Sequence, residues 1–197
     1  MSQHVNSHLY FAVKEVDRSK MEAFQTRHSE PYIELELAEM LNAADCPNIP
    51  RCFDSFADDK NYYIVSEYAN GGDLLNYLMS QDNFPTDEDG ARPIIKQVAK
   101  GLQALHERNI IHRDVKPANV LVNSQNGKAP VFQLTDFGAA VKLAGPGAKA
   151  TLRIGTMGFL SPELIQKKPY GCASDIFSLG TLMYFLLTGQ IAFEHAR

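Results

Sequence analysis

The stretch HRDVKPANVLV, residues 112–122, joins a cluster of charged and polar side chains directly to an apolar, β-branched strand. Arg113, Asp114 and Lys116 place two cations around one carboxylate, and Asn119 adds an amide just before the apolar residues. A buried strand needs none of these groups, because burying a charge without a partner is costly. The pattern therefore predicts that the loop serves a site outside the core and that the strand anchors it.

Length, composition and charge are those of an ordinary globular chain. The 197 residues are 45% hydrophobic, enough for a sizeable core, and 19 Lys plus Arg against 23 Asp plus Glu give a formal net charge of −4. This balance argues against a nucleic-acid surface, because such surfaces are strongly basic. The longest apolar stretch, residues 176–187, is interrupted by polar residues and is shorter than the roughly 20 residues of a membrane span. We therefore expect neither nucleic-acid nor membrane binding.

The predicted elements are mainly β in the first part of the chain and mainly helical in the second. Strands are predicted at 9–16, in two segments within 51–68, at 120–122 and at 131–134, and helices at 32–44, at 74–78, after Pro93 and at 173–187. The pair Gly71 and Gly72 lies between the two parts and indicates a joint. A joint of this kind is where a small-molecule cleft usually lies.

Three oxygen-bearing side chains are expected to converge near this joint. Asp114 and Asn119 share one loop, and Asp136 follows a β-turn-β excursion that can return the chain to its starting point. Carboxylate and amide oxygens suit Mg²⁺, which takes further ligands from phosphates and water. Lys116 can offer a point charge to a phosphoryl group. A solvated turn is the alternative for each motif taken singly, but their order and spacing together favour a phosphate site.

Six motifs in this order resemble the eukaryotic protein kinase family of the Ser/Thr type, over nearly the whole chain. They are AVK at 12–14, EYANGGDL at 67–74, HRDVKPAN at 112–119, DFG at 136–138, GTMGFLSPE at 155–163 and DIFSLG at 175–180. The resemblance implies an α+β, two-lobed fold with a small β-rich N-lobe and a mainly α-helical C-lobe, both incomplete. It implies a single partial kinase domain over residues 1–197, with the N-lobe at about 1–66, the hinge at 67–72 and the C-lobe at 73–197.

The resemblance also implies roles for the polar residues of the central loop. Asp114 would act as the catalytic base toward a substrate hydroxyl, and Lys116 would neutralise the γ-phosphate of ATP. Asn119 and Asp136 would hold Mg²⁺. Lys116 stands in the form of the motif typical of Ser/Thr kinases, so the expected partner is a protein substrate with Ser or Thr acceptors.

Other residues are implied to contact ATP by their positions in the family motifs. They are Lys14 for the α- and β-phosphates, Glu67 and Ala69 for backbone contacts at the hinge, Asp73 for the ribose, and Leu121 in the same nucleotide site. Ser66 would be the gatekeeper residue behind the adenine, and its small side chain predicts a more open back pocket; a neighbouring side chain that fills this volume is the alternative.

A helix glutamate should pair with Lys14 and hold it toward the nucleotide. Glu34, Glu36 and Glu39 are the candidates, and the family spacing to the following CPNI segment favours Glu36, with Glu34 remaining a competitor. Residues 139–160 resemble an activation segment, with Arg113 available to pair with a phosphate there. Thr151 is the candidate phosphosite, and an unmodified loop residue is the alternative.

The chain departs from the family pattern at both ends. None of the thirteen residues before Lys14 is glycine, so we expect the glycine-rich loop to be missing, and we expect Glu163 to lack its usual arginine partner. Two interpretations remain: a Ser/Thr kinase domain that uses ATP and Mg²⁺ and is present as a fragment, or an inactive kinase-like module for binding or scaffolding. A small-molecule phosphotransferase is disfavoured by GTMGFLSPE. The resemblance implies the cytoplasm or the nucleus.

Overall fold

The computed structural model describes residues 2–3, 10–28, 33–42, 45–82, 84–124 and 128–193. The strands are β1 (Ser2–Gln3), β2 (Tyr10–Asp17), β3 (Cys52–Ala57), β4 (Asn61–Glu67), β5 (Ile110–Ile111), β6 (Val120–Asn123), β7 (Val131–Leu134) and β8 (Val141–Lys142). The helices are α1 (Arg18–His28), α2 (Glu34–Asn42), α3 (Leu74–Met79), α4 (Glu88–His106), α5 (Pro162–Ile165) and α6 (Ala173–Thr188). The predicted α+β class is confirmed.

A four-stranded antiparallel sheet in the order β1-β2-β4-β3 forms the first part of the fold. Ala12 lies opposite Ser66 and Lys14 lies opposite Ile64, so these four residues share one face of the sheet. Helix α2 packs beside β3 and buries its apolar stripe, which consists of Ile33, Leu37 and Leu41. The sheet thereby presents Lys14 toward a partly enclosed space beside α2.

The joint between the sheet and the helical part is tied by backbone hydrogen bonds to β6. Gly71 donates to the carbonyl of Val122 at 2.8 Å, and Val122 donates to that of Gly72 at 2.8 Å. A Cβ atom at Gly71 would lie 2.7 Å from the Val122 oxygen, so the close approach requires glycine there. Glu67 adds side-chain bonds, because its carboxylate accepts from Asn123 at 2.6 Å and from Gln133 at 2.9 Å.

The main core lies between α4, α6 and the β6–β7 hairpin. Its fully buried side chains include Val98, Leu102, Leu105, Leu134, Leu182 and Leu186. This core anchors β6, the strand that follows the central polar loop. The apolar sequence after that loop predicted such an anchor. Within the described residues, no helix is long and apolar enough to cross a membrane.

Most predicted strands and helices are confirmed, but α4 begins earlier than predicted, and neither α1 nor the short α5 was predicted. Helix α4 begins at Glu88, before Pro93, because the carboxylate of Asp87 caps it by accepting from the Gly90 N–H at 2.9 Å. Pro93 lies near the start of the helix, where the carbonyl of the exposed Asp89 can be solvated. Helix α1 was not predicted, because its sequence, RSKMEAFQTRH, has no clear apolar face.

Candidate active site

Asp175 of α6 accepts hydrogen bonds from the start of the central polar loop, residues 112–119. Asp175 is 1% exposed. Its carboxylate accepts from the N–H groups of His112 and Arg113, both at 2.9 Å, and contacts Nε2 of His106 at 2.8 Å. His112 is fully buried, and its Nε2 contacts the carbonyl of Thr135 at 2.9 Å. These bonds fix the backbone of the two residues immediately before Asp114.

Asp114 is surrounded by three hydrogen-bond donors. Oδ1 accepts from the Thr156 hydroxyl at 2.6 Å, and Oδ2 accepts from Lys116 Nζ at 2.8 Å and from Asn119 Nδ2 at 2.9 Å. Lys116 also donates to the Thr156 hydroxyl at 2.7 Å. The structure therefore brings together Asp114, Lys116 and Asn119, as predicted, and adds Thr156 from the segment after residue 150. A fixed carboxylate beside a lysine suits transfer of a proton and stabilisation of a phosphoryl group.

Lys14 lies between two carboxylates. Its Nζ is 2.5 Å from Oε1 of Glu34, whose side chain is 4% exposed, and 2.7 Å from Oδ1 of Asp136. Burial alone would lower the pKa of Lys14, but the two carboxylates outweigh this effect and hold its pKa above the ordinary value of 10.5. Lys14 is therefore a fixed cation in the space between the sheet and the polar loop.

The assignment of Glu36 as the partner of Lys14 is wrong, because Glu34 makes this ion pair. Glu36 lies two positions further along α2, which turns its side chain to another face of the helix. Its carboxylate is exposed and lies 3.5 Å from Lys142 Nζ. The side chain of Glu39 lies outside the described residues.

Asp136 and Asn119 have the donor chemistry that a hard cation requires. Burial would raise the pKa of Asp136, but the hydrogen bond and charge of Lys14 outweigh it and keep this pKa below the ordinary value of 3.8. The amide nitrogen of Asn119 donates to both the backbone carbonyl and the carboxylate of Asp114, so its oxygen is the atom suited to a cation. A carboxylate and an amide oxygen fit Mg²⁺, which completes its coordination with phosphates and water.

The residues expected at the hinge lie at the joint, and two of their side chains have structural partners. The carboxylate of Glu67 is bonded to Asn123 and Gln133, so backbone atoms are what this residue can offer a ligand. Ala69 is 8% exposed. Asp73 caps α3, because its carboxylate accepts from the N–H of Asn76 at 2.8 Å and from its Nδ2 at 2.7 Å. Its contact with a ribose stays a prediction.

A cavity of about 190 Å³ lies between the sheet, α2 and the polar loop. Among its lining residues are Ala12, Lys14, Glu34, Leu41, Ile64, Ser66, Leu121, Asp136 and Phe137. Ser66 and Leu121 therefore line the same cavity as the ion pair between Lys14 and Glu34. The more open pocket expected behind the small side chain of Ser66 stays a prediction.

Two contributors to the site were missed by the sequence reasoning. Asp175 was noted only within a motif, although a carboxylate in a mostly apolar helix is a signal that it satisfies buried donors. Tyr170 is 2% exposed and bonds through its hydroxyl to the carbonyl of Leu152 at 2.6 Å. No local pattern distinguishes it from an ordinary core tyrosine. Glu163 makes no ion pair with the residues that the structure describes.

Comparison with known proteins gives consistent matches. A family model described as protein kinase domain matches residues 2–197. Serine/threonine-protein kinase cds1 of Schizosaccharomyces pombe is 31% identical over 195 residues, which cover 96% of this chain and 41% of that protein. Ribosomal protein S6 kinase alpha-3 of Homo sapiens is 33% identical over 98% of this chain and 24% of its own length. Serine/threonine-protein kinase ATG1a of Arabidopsis thaliana is 33% identical, with coverages of 98% and 30%. The chain thus spans less than half of each relative.

Proposed function

The chain belongs to the protein kinase domain family, and from this premise we propose that the protein is an ATP-dependent protein Ser/Thr kinase. The observation that carries the proposal is the cluster around Asp114, in which Lys116, Asn119 and Thr156 all bond to one carboxylate. Such a cluster orients a base toward a hydroxyl and places a cation beside the phosphoryl group that is transferred. Relatives named as serine/threonine-protein kinases support the same acceptor class.

In the proposed reaction, Asp114 accepts the proton of the substrate hydroxyl as the hydroxyl oxygen attacks the γ-phosphorus of ATP, the bond from this phosphorus to the β,γ-bridging oxygen breaks, and ADP leaves. Lys116 neutralises charge on the phosphoryl group, and Thr156 keeps the carboxylate of Asp114 oriented. Lys14, held by Glu34, binds the α- and β-phosphates. Asp136 and Asn119 would hold Mg²⁺, which when bound would neutralise charge on the phosphates.

The proposed nucleotide site uses the sheet on one side and the β6–β7 hairpin on the other. Ala12 and Leu121 both line the cavity beside Lys14, and we assign the adenine contacts to the backbone of Glu67 and Ala69. In this proposal, Asp73 would reach the ribose. The corresponding division of the chain is an N-lobe at about 1–66, a hinge at 67–72 and a C-lobe at 73–197.

An inactive scaffold is the less favoured interpretation. Lys14, Asp114, Asn119 and Asp136 are all retained, and Lys14 is already paired with Glu34 at 2.5 Å. A binding module has no physical need for this set of charges. As a kinase, the protein acts on Ser and Thr side chains of protein substrates in the cytoplasm or the nucleus.

Calorimetric binding of ATP in the presence and absence of Mg²⁺ tests the nucleotide site. We expect Mg²⁺-dependent binding by the wild-type chain and its loss in Asp136→Asn. Asp89→Asn is the matched control, because it removes an exposed carboxylate that lies 3.7 Å from Arg92 on α4. A folded wild-type chain without Mg²⁺-dependent binding would contradict the proposal and favour the scaffold interpretation.

Phosphate transfer to matched peptides tests the acceptor class. Of three peptides that differ only in a Ser, Thr or Tyr acceptor, the Ser and Thr peptides should be phosphorylated and the Tyr peptide should not. Asp114→Asn should lower kcat by about 10²- to 10⁴-fold, the usual contribution of a positioned base, with ATP binding retained. Transfer to the Tyr peptide alone would contradict the assignment as a Ser/Thr kinase.

A further inference from the structure

Tyr170 connects the activation segment, residues 139–160, to the chain before α6. Its N–H donates to the carbonyl of Ala150 at 3.0 Å, and its carbonyl accepts from the Ala150 N–H at 2.9 Å. Its hydroxyl donates to the carbonyl of Leu152 at 2.6 Å and accepts from Arg113 Nη1 at 3.3 Å. A single buried residue therefore holds two positions of the activation segment and reaches the residue before Asp114.

The guanidinium of Arg113 is also bonded to unmodified groups. Arg113 is 4% exposed, and it donates to the carbonyls of Ala139 and Ala140 as well as to the Tyr170 hydroxyl. Thr151, by contrast, is exposed. A phosphate on Thr151 would have to draw Arg113 out of these bonds, whereas the present contacts hold the start and middle of the activation segment without one.

The part of the activation segment after Leu152 runs directly against the catalytic loop. Gly155 has a φ of +119°, and a Cβ atom there would lie 2.3 Å from the carbonyl oxygen of Arg113. The next residue, Thr156, bonds to Asp114 at 2.6 Å and to Lys116 at 2.7 Å. Because Leu152 lies only a few residues earlier, fixing its carbonyl restricts where Thr156 can lie.

We propose that the hydroxyl of Tyr170 is a positioning group that keeps the activation segment ready for a peptide substrate without phosphorylation of Thr151. It acts through Leu152 and Arg113 and touches neither the nucleotide nor the acceptor. The inference rests on the proposed function, because it concerns how the same site is kept assembled. The proposed kinase activity would then not require phosphorylation of Thr151.

Tyr170→Phe tests the inference, because it removes the hydroxyl and keeps the ring. Hydrogen exchange of the Ala150 amide, which donates to the Tyr170 carbonyl at 2.9 Å, should become about five- to tenfold faster, because one hydrogen bond that holds this segment in place is lost. The KM for a Ser/Thr peptide should rise by a similar factor, whereas the affinity for ATP with Mg²⁺ should stay unchanged. A structural defect throughout the protein would change both.

Two variants serve as controls. Tyr77→Phe removes a hydroxyl from a ring on α3 that packs against Phe132 at 6.1 Å, and it should match the wild type in exchange and in KM. Thr151→Ala should also match the wild type. Unchanged exchange and KM in Tyr170→Phe would overturn the inference, as would loss of peptide phosphorylation in Thr151→Ala.

The unmodified wild-type protein gives an independent test that does not require a variant to fold. After phosphatase treatment, checked by mass spectrometry, the Ala150 amide should remain protected from exchange by its bond to the Tyr170 carbonyl. Protection that appears only after phosphorylation would overturn the inference. Because exchange is read without turnover, a wild-type chain that is protected but transfers no phosphate would refute the proposed function and leave the role of Tyr170 supported.

Discussion

Glu34 and Glu36 have different surroundings although only one residue separates them on α2. The carboxylate of Glu34 is 4% exposed and bonded to Lys14, whereas that of Glu36 is 63% exposed. Ion pairs between exposed side chains contribute little, because water and salt screen them. The position of Lys14 therefore depends on Glu34 and not on Glu36.

Neutralising the two glutamates should separate their roles. Glu34→Gln should lower kcat/KM for ATP by about ten- to a hundredfold, as expected for loss of a charge-assisted hydrogen bond to a partly buried lysine. Glu36→Gln is the matched control and should stay within about twofold of the wild type. Steady-state kinetics with varied ATP measure both, and equal losses in the two variants would contradict the pairing seen here.

The pKa of Asp136 predicts a dependence of stability on pH. Lys14 holds this pKa below the ordinary value of 3.8, so the contribution of Asp136 to stability is present above pH 3.8 and is lost as the pH falls through the lowered pKa. The difference in urea midpoint between the wild type and Asp136→Asn should therefore shrink between about pH 6 and about pH 3. A difference that grows as the pH falls would contradict the sign of the shift.

Ser66 should let the protein accept an adenine ring that carries a bulky substituent. Ser66 lines one part of the cavity of about 190 Å³, and a methionine at this position would occupy the space next to it. Ser66→Met should weaken binding of N6-benzyl-ATP by about tenfold or more, because the benzyl group loses apolar contact, and leave ATP binding unchanged. Equal affinities of both proteins for the analogue, measured by calorimetry, would contradict the open cavity.

Two glycines within helices should respond oppositely to substitution by alanine. A Cβ atom at Gly180 of α6 meets nothing within 4 Å, so Gly180→Ala should stabilise the protein by about 0.5–1 kcal/mol through helix propensity. At Gly101 of α4, a Cβ atom would lie 3.0 Å from the carbonyl oxygen of Asn48, which is fixed by the Leu134 N–H at 2.8 Å. Gly101→Ala should cost about 1–3 kcal/mol. Urea unfolding measures the free energy of unfolding of both variants. Equal gains in stability would contradict the close contact between Gly101 and Asn48.

The strands and the buried helices could be predicted because burial favours runs of apolar, aromatic and β-branched residues. The segment 61–67 is rich in aromatic and β-branched residues, and 173–188 is mostly apolar with a few polar residues between. Helix α1 gave no such signal, because its sequence has no clear apolar face. Asp17 caps its start by accepting from the N–H groups of Ser19 at 2.8 Å and Lys20 at 3.3 Å.

The polar site could be predicted in its composition but not in all its pairings. Asp114, Lys116 and Asn119 lie within six consecutive residues, so the short loop itself brings them together. The partner of Lys14 comes from a separate helix, and a shift of two residues on α2 changes which carboxylate faces the lysine. Which glutamate faces Lys14 depends on how the buried Leu37 and Leu41 orient α2. The spacing between sequence motifs does not reveal this orientation.

Asp175 links α6, a mostly apolar helix, to the central polar loop and so joins the core to the candidate site. Asp175→Ala would leave the buried N–H groups of His112 and Arg113 without their acceptor, at a cost of about 2–5 kcal/mol. Asp175→Asn keeps one acceptor oxygen and should cost less. Urea unfolding measures both, and an alanine variant within about 0.5 kcal/mol of the wild type would contradict this linkage.

The joint at residues 67–72 is bonded to the β6–β7 hairpin through Gly71, Gly72 and the carboxylate of Glu67. A connection of this kind loses its conformational freedom when the chain folds and not when a ligand arrives. Binding of adenine at this edge should therefore carry a small entropic penalty. The entropy lost on nucleotide binding should instead come mainly from the phosphates and Mg²⁺, which become fixed beside Lys14 and Asp136.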